Sequence, residues 1–170
     1  MPVGKAPHRE IDQDPGAEVR AALCECAVAD DPRFSVSRAE VDRPGPSYSV
    51  DTLRLLRRQA PQDELTVLLG ADQASSLPSW REPEAVLALA RVAVAAREGV
   101  ERETVLHRLE SLSGGERIAF FDMPRVDISS SMIRERAGSG RPIRYLVSHN
   151  VADQVEAGGL YGASAAVSAE

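Results

Sequence analysis

The chain has 170 residues, 43% of them hydrophobic and 27% charged, with a net charge of −6. Such a length suits one ordinary domain with a real core, and the composition is that of a globular chain, not a disordered one. The acidic balance argues against a nucleic-acid-binding surface, and no apolar run approaches a membrane span or a signal-peptide core.

A soluble, cytoplasmic protein is therefore expected, with no nucleic-acid or membrane partner. An anionic small molecule stays open, because local groups decide such binding. The two cysteines, Cys24 and Cys26, stand two residues apart on a predicted helix. They point in different directions there and suit neither a disulfide nor a metal.

In chain order, Met1–Arg9 is a loop with two prolines and a glycine. Asp14-Pro15 reads as an N-cap and first-turn proline, opening a helix to about Ala29. Phe34–Ser37 alternates like a short strand. Arg43–Pro46 is a rigid loop. Ser49 reads as the cap of a helix from Val50 to about Gln59, with free backbone amides at its start.

Leu65–Leu69 is an apolar run too short for a typical helix. It predicts a central parallel strand buried on both faces. It ends at Gly70-Ala71-Asp72, where a small residue lets a ligand approach the backbone and an acid can accept from hydroxyls. Trp80, the single tryptophan, follows.

Further on, Ser79–Pro83 starts a helix to Ala90. Val92–Ala96 is a second strand ending at Arg97. Glu101 to about Leu112 is an amphipathic helix, and Arg117–Phe121 a third strand. Met132–Ala137 is a helix entered by Ile128–Ser131, and His149–Ala157 is a helix closed by Gly158-Gly159. Alternating helices and strands predict one α/β domain with a mostly parallel sheet. Its expected bounds are 1–161, with a flexible tail over 162–170.

Several residues carry candidate chemistry, each beside a plainer reading. Ser129, Ser130 and Ser131 at a helix start, with Arg134 three residues after Ser131, make a phosphate cradle or an ordinary serine cap with a surface arginine. His8 and Arg9 hold a phosphate or are simply surface residues. Trp80 stacks on a planar ring or fills the core. Asp72 holds a ribose or caps the segment after it. His107 reads as exposed and His149 as a cap. Spacing offers no nucleophile–base pair, so any chemistry is positioning and charge stabilisation at a phosphoryl group.

Taken together, six stretches resemble bacterial nicotinate-nucleotide adenylyltransferases. They are Pro2–Arg9 (PVGKAPHR), Pro46–Leu53 (PSYSVDTL), Leu69–Trp80 (LGADQASSLPSW), Ile128–Arg136 (ISSSMIRER), Arg141–Val147 (RPIRYLV) and Val151–Tyr161. They fall in family order up to Tyr161. The resemblance implies a Rossmann-like nucleotidyltransferase fold and a Mg²⁺-assisted transfer of AMP from ATP to nicotinate mononucleotide, giving deamido-NAD and pyrophosphate.

It also implies roles. Gly70 and Asp72 hold the adenosine ribose, and Trp80 stacks on the nicotinate ring. Ser49, where the family usually has threonine, and the backbone amide of Arg81 take the nicotinate carboxylate. His8 and Arg9 line the mononucleotide phosphate site. Ser129, Ser131 and Arg134, with Ser130 a weaker member, hold the leaving β- and γ-phosphates.

One departure stands out. The family opens with a strand, a Gly-Gly-Thr-Phe-Asp-Pro turn and a His-x-Gly-His motif whose histidines serve the ATP phosphates. The chain as written resembles a member without its first βα unit and part of the next, through a late start codon or a genuine truncation. It is thus expected to retain no confident catalytic residue, to turn over weakly or not at all, and to be poorly soluble or to associate into homo-oligomers. Two other readings are a non-catalytic mononucleotide-binding or interaction module and a different adenylyl- or cytidylyltransferase of the same fold.

Overall fold

The computed structural model describes residues 1–7, 14–96, 102–124 and 126–163. His8, Arg9, Arg97, Glu101 and the tail from 164 onward lie outside the described residues. The helices are α1 (Ala17–Val28), α2 (Ser49–Gln59), α3 (Ala71–Ser76), α4 (Pro83–Leu89), α5 (Arg102–Leu109), α6 (Ser130–Gly138) and α7 (His149–Ala157). The strands are β1 (Thr66–Gly70), β2 (Arg91–Ala96) and β3 (Ala119–Asp122). Short 3₁₀ turns cover Leu77–Ser79, Gly115–Arg117 and Leu160–Gly162.

The sheet is parallel, with β2 between β1 and β3. Leu68 stands beside Ala93, and Ala95 beside Phe121. Parallel neighbours need a crossover connection, which α3 and α4 supply between β1 and β2 and α5 between β2 and β3. The α/β class and the parallel sheet expected from the alternation are therefore present.

Contacts divide the chain into two compact units, Tyr48–Val126 and a second made of Met1–Ser47 with Asp127–Glu170. In the sheet unit, β2 carries the apolar run that buries best. Val92 and Val94 pack with Val50 and Leu53 of α2, Leu77 after α3, Val86 of α4, Val105 and Leu109 of α5, and Ile118. Burying such side chains contributes about 1.5–3 kcal/mol each.

The other unit closes around Ala137 of α6, Ile143, and Ala152 and Val155 of α7, with Leu23 of α1 against them. Its loops are tied by Ser47, whose hydroxyl accepts from the Gly4 and Lys5 amides at 3.1 and 3.3 Å. Gly4 has no alternative there, since a Cβ would lie 2.0 Å from the Glu40 carbonyl oxygen.

Several expectations are corrected. β1 is not central: among the described residues it pairs only with β2, and Leu68 is 68% exposed. Its side chains alternate between half-buried and exposed because one face alone meets the core. Phe34–Ser37 is not a strand, and Phe34 is exposed. Two apolar residues in alternation do not make a strand where no ladder partner exists.

Ser49 is the first residue of α2, with Tyr48 as its cap. Asp14 does not cap α1; Gly16 does. The Asp14 carboxylate instead accepts from the Gly16 amide and from Arg20 Nε, both at 3.0 Å. His149 follows its cap, Ser148. It lies 3.0 Å from Asp153, while Arg144 reaches its Nδ1 at 2.9 Å. His107 is exposed as expected, 3.2 Å from Glu110.

Candidate functional site

In the sheet unit, the carboxyl end of β1 turns directly into α3. Gly70 is the last strand residue and also the cap of α3, with φ −74° and ψ 158°. Any residue can adopt these angles. A Cβ built at Gly70 meets nothing within 4 Å, so the space beside its Cα is open. Asp72 is exposed in the first turn of α3 and is not the cap. Of its two sequence readings, the capping one is not met, because Gly70 is the cap.

After α3 the chain makes the 3₁₀ turn Leu77–Ser79 and arrives at Trp80. Leu77 is fully buried and anchors this turn in the core. The Trp80 indole N–H donates to Ser76 Oγ at 3.1 Å, and the ring packs against the core while staying half-buried. The core-filling reading of Trp80 is thus partly realised. One part of the indole is packing, and the hydrogen bond fixes the ring's orientation.

The start of α2 belongs to the same neighbourhood, because α2 packs on α4. The Arg81 guanidinium lies 4.8 Å from the centre of the Tyr48 ring and 4.0 Å from Asp51. Glu82 follows in the left-handed region, at φ 51° and ψ 59°. Its carboxylate accepts from both ends of the Arg54 guanidinium, at 3.1 and 2.6 Å. Hydrogen bonding to Arg54 holds the Glu82 carboxyl below the usual carboxylate range. The same bond raises the Arg54 guanidinium. In this group of Tyr48, Asp51, Arg54, Arg81 and Glu82, only the Arg81 backbone amide was singled out in the sequence.

In the other unit, Ser129 caps α6 by accepting from the Met132 amide at 3.1 Å. Its hydroxyl is thereby engaged as an ordinary cap. Arg134 lies on the face expected from the spacing and donates to Ser131 Oγ at 3.2 Å. Ser130 and Ser131 are exposed in the first turn, where helix amides lack intrahelical partners. The 3₁₀ turn Leu160–Gly162 packs on α6. There, burial pushes the Tyr161 phenol up, against the opposing pull of the Arg134 charge.

A surface cavity of about 190 Å³ lies elsewhere, at the amino ends of β1 and β2, lined by Leu65, Arg91, Val92, Arg57 and Arg117 among others. It is at the opposite end of the strands from Gly70, the end where open α/β sheets do not place their ligands. Among the described residues no group of three or more His, Cys, Asp or Glu side chains is arranged to hold a metal ion. Among them also, no helix is long and apolar enough to cross a membrane.

Residues 1–136 match the family model described as cytidylyltransferase-like. The class is thus a nucleotidyltransferase of that superfamily, in keeping with a parallel sheet that opens at Gly70. Among curated relatives, a "probable nicotinate-nucleotide adenylyltransferase" of Roseiflexus sp. (strain RS-1) is 40% identical over 163 residues, 95% of this chain and 80% of the relative. One of the same name from Thermus thermophilus is 43% identical over 145 residues, 85% of this chain and 73% of the relative.

The fold is also that of the Plasmodium falciparum nicotinic acid mononucleotide adenylyltransferase complexed with NaAD. The TM-score is 0.73 at 14% identity, over 95% of this chain and 80% of that one. The chain belongs to the cytidylyltransferase-like family and, within it, to the nicotinate-nucleotide adenylyltransferases.

Proposed function

We propose that this protein transfers AMP from ATP to nicotinate mononucleotide, forming deamido-NAD and pyrophosphate. A phosphate oxygen of the mononucleotide bonds to the α-phosphorus of ATP. The bond from that phosphorus to the bridging oxygen breaks, and pyrophosphate leaves with the electron pair. The observation that carries the reading is the turn after β1: an open Gly70, an outward Asp72 and a Trp80 fixed by Ser76, within one sheet unit.

In this reading Gly70 admits the adenosine ribose and Asp72 accepts from its hydroxyls. Trp80 offers its ring to the nicotinate. The Ser49 hydroxyl and the Arg81 backbone amide receive the nicotinate carboxylate. The first turn of α6 and Arg134 suit phosphate, since helix-start amides and a guanidinium fork both favour anions. His8 and Arg9 remain the proposed mononucleotide-phosphate residues on sequence resemblance alone. The cytoplasm is the proposed compartment.

Mg²⁺ enters this proposal with ATP. The described residues offer no three-ligand cluster, and Mg²⁺ is commonly held by substrate phosphates and water with few protein ligands. Bound there it would neutralise phosphate charge. The protein's own part is to orient the two nucleotides.

Solved relatives support the reading: the Plasmodium falciparum enzyme, nicotinic acid mononucleotide adenylyltransferase by name, is described complexed with NaAD and complexed with APC. The test is a pyrophosphate-release assay with ATP and nicotinate mononucleotide, run beside a Trp80 fluorescence titration with each nucleotide. Saturable quenching by the mononucleotide is expected, with at most slow product formation. A folded protein that neither binds the mononucleotide nor forms deamido-NAD refutes the proposal.

A further inference from the structure

Glu82 is held where its sequence does not want it. A non-glycine residue in the left-handed region carries a steric cost at its Cβ. Glu82 also precedes Pro83, and a residue before proline is pushed towards extended backbone. Two independent preferences therefore favour opening this turn. Against them stands the two-point grip of Arg54, reaching across from α2, 28 residues earlier in the chain. Both side chains are accessible, at 41% and 44%. Their geometry is nevertheless the forked, bidentate one that confers direction as well as attraction.

Arg81 is the neighbour that matters. Its side chain is fixed over Tyr48 and towards Asp51, both on the α2 side. Its backbone amide belongs to the Trp80–Arg81 peptide, one residue before the strained Glu82. Trp80 on one side and Val86 and Leu87 of α4 on the other are packed in the core, so release of Glu82 into an extended conformation would have to be absorbed by the torsions of Trp80 and Arg81, which re-aims that amide.

We propose that Arg54 is a positioning residue for acid recognition: by clasping Glu82 in the left-handed conformation, it aims the Arg81 backbone amide at the nicotinate carboxylate. This rests on the substrate reading above. Arg54 itself touches no substrate in this scheme. It acts through Glu82, and its effect is confined to ligands that carry the carboxylate.

The test uses the full chain and two probes, nicotinate mononucleotide and nicotinamide mononucleotide, by calorimetry and Trp80 fluorescence. Arg54→Met should weaken the acid by roughly tenfold, about 1.4 kcal/mol by the affinity relation, and leave the amide within about twofold. The thermal midpoint should stay close to that of the parent, because exposed ion pairs add little stability. The double variant Arg54→Met/Glu82→Gly should regain most of the lost affinity, since glycine needs no clasp to stay left-handed. Glu82→Gly alone should bind like the parent.

Equal acid affinity in Arg54→Met and the parent overturns the proposal, as does a double variant no better than the single one. A parent chain that binds neither probe overturns the substrate reading first and the Arg54 role with it. A parent that binds both equally overturns the carboxylate pocket and the Arg54 role with it, and leaves mononucleotide binding itself standing.

Discussion

Gly70→Ala separates what the fold needs from what the ligand needs. At φ −74° and ψ 158° the backbone is in the ordinary extended region, so alanine is not strained. The added Cβ meets no atom within 4 Å. The fold opposes the substitution only at the cap of α3, where glycine is preferred to alanine. That loss offsets the gain of about 0.4–1 kcal/mol from reduced freedom of the unfolded chain, so stability should change little. Nucleotide binding should fall.

If the ATP ribose packs against the Gly70 backbone, a methyl in that space forces it outward by most of a carbon diameter. Loss of the close approach and of the Asp72 hydrogen bond together should weaken ATP by about tenfold to a hundredfold, or about 1.4–2.8 kcal/mol. Gly70→Val should deepen the loss while the protein still folds. The assay is paired: calorimetric unfolding for the fold, and isothermal titration with ATP for the site. A stable Gly70→Val protein that binds ATP like the parent would show that the nucleotide does not sit at this strand end.

Three more tests follow from the same geometry. Trp80→Phe keeps a ring but loses the bond to Ser76, so mononucleotide affinity should fall modestly, whereas Trp80→Ala should lose about 1–3 kcal/mol by titration, the usual worth of one aromatic stack on a base. Arg134→Ala should weaken pyrophosphate by about tenfold in competition binding, while Ser129→Ala should cost about 1 kcal/mol of stability in a urea titration, since Ser129 caps α6; the reverse pattern would exchange their roles. For Glu82, the hydrogen bond from Arg54 lowers the carboxyl. Its contribution is therefore fully present above the ordinary carboxylate value and disappears as pH falls through the lowered one. The affinity difference between the parent and Arg54→Met should hold from neutral pH down through the ordinary carboxylate value and close only as pH falls through the lowered one; a gap that persists once Glu82 is protonated contradicts the ion-pair account.

The elements were legible where a local pattern had one physical cause. α7 was bounded at His149 and Ala157 from the pattern and from Gly158-Gly159 after it. The strand starting near Leu65 was visible because Val67, Leu68 and Leu69 run together. Its environment was not. A short apolar run shows that a strand exists, but not how many neighbours it has, and Leu68 is exposed on β1. Phe34–Ser37 failed for a related reason, since alternation needs a partner strand that no local window contains. Caps slipped by one or two residues at Asp14, Ser49 and His149 because several neighbouring residues can each serve, and only the backbone angles choose among them.

At the candidate site, the residues visible in the sequence are those whose chemistry is carried alone: a glycine at a strand end, an acid beyond it, one tryptophan, serines before a helix. Arg134 belongs with them, since three-residue spacing on a helix predicts its meeting with Ser131. Arg54 and Glu82 are of another kind. Each is an ordinary surface charge in its own segment. Their meaning comes from α2 packing on α4, which brings together residues 28 positions apart. Glu82 gains a role only through a left-handed backbone angle that no side-chain pattern announces. The groups that touch a ligand must be chemically distinctive, so they leave a mark in one stretch of sequence. The groups that aim them need only fit each other, and any complementary pair would do. The proposed substrate contacts in this chain are thus readable one residue at a time, while the Arg54–Glu82 clasp proposed to set their direction exists only once both helices are in place.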